Sequence, residues 1–130
     1  MLIENTVKQW HGLVERGDVS GLDSLLDDDC VFHSPVVHTP QEGKEITTFY
    51  LTAALHVLGN EHFRYVREVL DGNNAVLEFV TQIDGIEING VDMIRCNEAG
   101  KIVDFQVMVR PLKAVNMIHG MMAAMLEKIR

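Results

Sequence analysis

The sequence predicts an α+β fold, with helices first and a meander of antiparallel strands after them. Three observations carry this. Apolar residues recur at helical spacing in the first 58 positions, the period changes to two after Gly59-Asn60, and turn signals separate the alternating runs. At 130 residues the chain makes one domain with enough interior to fold without disulfides or metal.

Ile3, Val7, Trp10 and Val14, widened by Leu13, predict an amphipathic helix over 2–16, and Gly17 is a natural stop for it. Asp18 has the oxygen to cap a short second helix carrying Leu22, Leu25 and Leu26. Three acids, Asp27, Asp28 and Asp29, oppose a helix dipole at its C-terminal end and so mark a break. Cys30 to Ser34 is a short β-type stretch closed by Pro35, and residues 35–43 read as loop between Pro35, Pro40 and Gly43. Ile46, Phe49, Tyr50, Ala53, Ala54 and Val57 predict a helix over 44–58 that ends at Gly59-Asn60.

Phe63, Tyr65, Arg67 and Val69 then alternate as one face of a strand up to Leu70, and Asp71-Gly72-Asn73 signals a hairpin. Ala75, Leu77, Phe79, Thr81 and Ile83 form the apolar face of the next strand, which turns at Asp84-Gly85. A third strand spans about 86–97, with Gly90 expected as a bulge or bend. Asn97 to Gly100 is a turn, and a fourth strand runs from Ile102 to Arg110, stopped by Pro111. Leu112, Val115, Met122, Met125 and Ile129 space as one stripe of a final helix. Apolar residues on both faces of the strands point to a curved sheet holding helices in its hollow, with a partner on its convex side.

Composition narrows the function. Eleven Lys+Arg against nineteen Asp+Glu give a net charge of -8, which argues against nucleic acid or an anionic membrane surface as partner. Residues 1–110 carry 18 acids and 8 bases, whereas the last twenty hold Lys113, Lys128 and Arg130 against Glu127 alone. The acidity belongs to the body of the fold. No apolar run approaches the roughly 20 residues of a spanning helix, and the first ten residues lack the basic-then-apolar pattern of a signal peptide. Cys30 and Cys96 match no metal or disulfide spacing and have no basic neighbour to activate them, so a reducing, cytoplasmic setting is expected. No glycine-rich phosphate loop or metal-ligand spacing appears, and no cofactor is expected.

Three stretches, in order, carry a resemblance: WHGLVERGDVSGLDSLLDDDCVFHSP (10–35), GKEITTFY (43–50) and GVDMIRCNEAGKIV (90–103). They are similar to the nuclear transport factor two-like superfamily, in its SnoaL-like and ketosteroid-isomerase-like branch. The resemblance covers nearly 1–111 and treats 112–130 as a helical extension of a single domain. It implies a cone-shaped, cystatin-like α+β barrel: a bent sheet around the long helices, a pocket at one end, and pairing into a homodimer through the convex face. The superfamily holds isomerases, dehydratases, cyclases and non-catalytic binders, so the fold leaves function open.

Ketosteroid isomerase uses an Asp base, with a Tyr and a protonated Asp at the oxyanion. By the resemblance the Tyr position is held here by Trp10 and the base position by Ser34, and only the third survives, as Asp92. An indole N–H donates one hydrogen bond but is no phenol, and a lone serine cannot abstract a carbon-bound proton. Steroid isomerisation by that route is therefore not expected. Alternation puts Asp92 with Ile94 and Cys96, in apolar company, where a pocket would raise its pKa and make it an acid; a structural acid paired to an Arg or an amide is the other reading. His38, in the loop at the pocket rim, is the candidate base. His11, His33, His56, His62 and His119 read as surface residues, as do Arg95 and Arg110, with Glu78, Glu87 or Asp104 as partners.

The expected pocket is lined by Trp10, Phe32, Ser34, Phe49, Tyr50, Leu77, Phe79, Asp92, Ile94, Phe105 and Val107. It suits a small apolar organic ligand. The function follows one of two lines: acid–base chemistry on a cyclic carbonyl compound, of isomerase, cyclase or dehydratase type, or a non-catalytic ligand-binding or protein-association module. Met117, Met121, Met122 and Met125 read first as adaptable packing of the last helix, with a lid over the pocket mouth or a contact with the second subunit as the alternative.

Overall fold

Helix α1 (Leu2–Arg16) buries Ile3, Thr6, Val7, Trp10 and Leu13, which fall on one face at three- and four-residue steps. The computed structural model describes residues 2–129; Met1 and Arg130 lie outside the described residues. Gly17, at φ 61°, ends α1, since that left-handed geometry is natural for glycine. The Asp18 carboxylate accepts from the Ser20 amide at 3.1 Å, capping a 3-10 turn (Val19–Gly21) rather than the helix itself. Helix α2 (Leu22–Leu25) follows as a single turn.

Strand β1 (Leu26–His33) begins at once, so the three aspartates lie inside a strand and not at a helix end. They occupy an irregular stretch: β1 pairs with the fourth long strand at Leu26↔Ile102 and regains register only at Val31↔Asp104. Asp28 and Asp29 are exposed, Asp28 facing Lys44 at 3.2 Å, while Asp27 accepts from the Asp29 N–H at 3.0 Å. Part of the expected loop forms the short strand β2 (Gln41–Glu42) on the edge of β1. Helix α3 (Lys44–Leu58) sits between two glycines, Gly43 and Gly59, as its spacing predicts.

Strands β3 (Arg64–Asp71), β4 (Asn74–Ile83), β5 (Ile86–Cys96) and β6 (Ile102–Arg110) complete a six-stranded sheet in the order β2-β1-β6-β5-β4-β3. Its neighbours are antiparallel except for β1 and β6, which are parallel, and the sheet curves without closing. A bulge bends β3. Tyr65 pairs with Phe79 but Arg67 with Glu78, leaving Val66 as the extra residue. That residue reverses the expected alternation: Arg67 and Val69 turn outward, while Leu70 lies opposite buried Ala75.

Gly90 makes no bulge. β5 runs in unbroken register along β4 through Phe79↔Gly90, and a Cβ on Gly90 would lie 2.3 Å from Cζ of Phe79. The missing side chain is the space the phenyl ring occupies.

Helix α4 (Leu112–Ile129) buries Ala114, Ile118 and Met122, a stripe at four-residue steps, against α3 and the sheet. Leu112 and Val115 are not in that stripe, and Leu112 is 74% exposed in the first turn. The segment is thus part of the core. Among the described residues no helix is long and apolar enough to cross a membrane.

Candidate functional site

The hollow of the sheet holds an apolar cavity of about 50 Å³, roofed by α1, α3 and α4. Among the described residues, polarity enters it through four side chains: Trp10, Ser34, Tyr65 and Asp92. α1 presents Trp10, whose ring meets Phe105 edge-on at 4.9 Å, and β5 presents Asp92. β3, bent at its bulge, presents Tyr65 from the edge of the sheet.

These three groups form a chain. The Trp10 indole N–H donates to the Tyr65 hydroxyl oxygen at 2.8 Å, and that hydroxyl donates to Asp92 Oδ2 at 2.6 Å. Both polar capacities of the phenol nearest its proton are used, and the indole N–H is spent on it. Among the described residues no donor meets Asp92 Oδ1. Asp92 is 6% exposed, and burial pushes its carboxyl up to about 7 against the opposing pull of the Tyr65 hydrogen bond. Burial, and then the charge on Asp92, likewise hold the Tyr65 phenol well above its ordinary value. Near neutral pH the site therefore carries a carboxyl group poised between acid and base.

Seven of the residues expected at the pocket do line this cavity: Trp10, Phe32, Ser34, Phe79, Asp92, Phe105 and Val107. Four do not. Leu77 and Ile94 share the inward face with Asp92 but lie sealed in the core beyond the cavity, 0% and 2% exposed. Tyr50 packs behind Phe32, its ring centre 5.5 Å away, and Phe49 faces an outer groove beside Glu45 and Ile129. His38 is exposed on its loop and does not reach the cavity, which leaves the expected acid–base pair without its base. Ser34 does reach it, but its oxygen accepts from the Val36 amide at 3.1 Å.

The other candidates settle into local roles. His11 pairs with Glu68 at 2.7 Å, His33 with Asp104 at 2.9 Å, and Glu78 takes Arg67 at 3.1 Å rather than Arg95 or Arg110. Arg110 Nε donates to Asn89 Oδ1 at 2.8 Å. Both cysteines are buried free thiols, and burial raises Cys30. Among the described residues no cluster of three or more His, Cys, Asp or Glu is placed to hold a metal ion.

Tyr65 is the polar cavity residue that sequence spacing missed. Its signal was present: a phenol on the inward face of a strand, alternating with Phe63, needs a partner for its hydroxyl once buried. Asp92, 27 residues further along, is that partner.

The SnoaL-like domain family matches residues 7–105. The chain belongs to that family. Among solved structures, this SnoaL-like protein is similar to a steroid delta-isomerase from Pseudomonas aeruginosa, with 39% identity, a TM-score of 0.93, and coverage of 99% of this chain and 94% of that one. It is also similar to an uncharacterised protein with a cystatin-like fold from Silicibacter pomeroyi, at 33% identity and TM-score 0.84, covering 92% and 83% of the two chains. A nuclear transport factor two-like protein of unknown function from Mesorhizobium loti, 17% identical, shares the fold at a TM-score of 0.73, with 85% of this chain and 92% of that one covered. No curated protein matches the chain. The superfamily read from the three sequence stretches is the one these matches show.

Proposed function

We propose that this SnoaL-like protein binds a small apolar carbonyl compound in the cavity and acts on it through Asp92, in an isomerase-type proton transfer. The supporting observation is the Trp10–Tyr65–Asp92 chain, set in walls that are otherwise almost wholly apolar. With the ligand's α-carbon beside Asp92 Oδ1, the ionised carboxylate would take the α-proton, and the acid so formed would return it to the γ-carbon as the double bond moves into conjugation. The phenol missing from α1 by resemblance is supplied by β3. The likeness to a steroid delta-isomerase agrees with this class of chemistry, and among the described residues no second base lines the cavity, which favours a reaction run by one carboxyl group.

The non-catalytic reading has its own support: about 50 Å³ is little room, and Ile118 and Met122 of α4 close it. Turnover separates the two. A β,γ-unsaturated cyclic ketone is followed by the absorbance of its conjugated product in the wild type and in Asp92→Asn. Loss of about 100-fold or more in rate is expected for the variant. Equal rates would remove Asp92 from the chemistry, and binding without any turnover would make the protein a carrier.

A second copy of the chain belongs to the same proposal. Val69, Val76 and Met108 expose apolar surface on the convex face, at 53%, 37% and 46%. Native mass spectrometry is expected to show a dimer that keeps a small molecule until denatured.

A further inference from the structure

Beside the cavity lies a second, more open cleft of about 520 Å³, lined by polar groups that the chemistry above does not use. Val14, Gly59, Phe63 and Tyr65 line both spaces, so a single layer of side chains divides them. On the cleft side stand His11 and Glu15 of α1, Asn60 of the α3–β3 turn, and Arg64 at the start of β3.

Most of these groups are already engaged. His11 is held by Glu68, and Asn60 accepts from the His62 amide and the Thr81 hydroxyl while donating to the Gln82 carbonyl. Arg64 differs: among the described residues it makes no ion pair. It is an unpaired cation in a chain of net charge -8, at the mouth of an apolar cavity.

Volume sets the rest. The inner cavity holds a few water-sized groups or one small ring, far below the roughly 300 Å³ and more of a typical ligand site. Anything longer must extend past Phe63 and Tyr65 into the cleft. We propose that the cleft is the outer half of one continuous site, and that the ligand is an amphipathic keto acid, its ring carbonyl at Asp92 and its carboxylate on Arg64. A single negative charge fits better than a phosphate dianion, because Glu15 shares the cleft and Glu68 stands behind His11. Arg64 is then a specificity residue. The inference rests on the cavity reading given under Proposed function.

The test uses two ligands with the same ring, 4-(4-oxocyclohexyl)butanoate and 4-butylcyclohexanone, titrated calorimetrically and by emission of Trp10, the only tryptophan. Wild type is expected to prefer the keto acid about tenfold, the size of one charge-assisted hydrogen bond. Arg64→Gln should erase that preference, Arg64→Lys should keep part of it, and Glu15→Gln should enlarge it. A wild type that binds the neutral ketone equally well, or an Arg64→Gln variant that keeps the preference, overturns the cleft assignment and leaves the cavity reading standing. If neither compound binds, the cavity reading falls and takes the cleft with it.

Discussion

The two faces of the β4–β5 hairpin are made by alternate residues of the same strands, yet they do opposite work. Inward, Ala75, Leu77 and Phe79 are buried, and Asp92 is held among them by a phenol. Outward, Val76 is 37% exposed and Glu78 meets Arg67 in an ordinary surface pair. On the inner face burial strips the Asp92 carboxyl of water and raises it, whereas the outer-face Glu78 stays within reach of solvent and of Arg67. The contrast shows that one step along a strand decides whether an acid meets solvent or the cavity.

The largest effect that tests this contrast is on packing. Phe79→Ala removes a ring that is 1% exposed and stacks on Phe63, and about 3–5 kcal/mol of stability should go with it. Val76→Ala, three residues away on the outer face, should cost no more than about 0.5 kcal/mol. Urea denaturation of both variants measures the difference; similar losses would mean that the outer face is covered.

Next comes the pH dependence of Asp92. Its folded value of about 7 lies above the 3.8 of an unperturbed Asp, so between roughly pH 4 and 7 the unfolded chain holds fewer protons than the native one. Stability therefore falls as pH rises through that window, by up to about 4 kcal/mol at 1.36 kcal/mol per unit. Asp92→Asn should flatten this slope in denaturation curves taken from pH 4 to 8. An unchanged slope would show that Asp92 is not the group responsible.

A smaller effect sits at Gly90. Gly90→Ala places a methyl group against the Phe79 ring and should cost about 1–3 kcal/mol by overpacking. Combining it with Phe79→Ala should cost less than the sum of the two, because the ring that meets the methyl is gone.

Much of this architecture was legible because punctuation in the sequence is local. Gly43 and Gly59 bound α3, Pro111 ends β6, and period-two runs give the strands their faces. The bulge at Val66 was not legible. Nothing in Arg64 to Leu70 marks where an extra residue falls, and one extra residue reverses every side chain beyond it. At the site, alternation told which residues face inward but not how far along a strand the cavity ends. Leu77 and Ile94 were therefore expected at a wall they do not reach. Tyr65 and Asp92 sit on strands separated by β4, and only the curvature of the sheet brings them together. His38 failed for a plainer reason: proximity to a rim in sequence says nothing about where an exposed loop leaves a side chain.

The sheet order also has a consequence for how the chain emerges during synthesis. β6, made after every strand it joins, lies between β1 and β5, and among the described residues β1 otherwise has the two residues of β2 beside it. Val31 must wait for Asp104 before its strand finds a long neighbour. The β3–β4–β5 meander, built from adjacent hairpins, closes on local contacts. On the ribosome the meander can form before β6 has emerged, and the arrival of β6 is the step that joins β1 to the rest of the sheet.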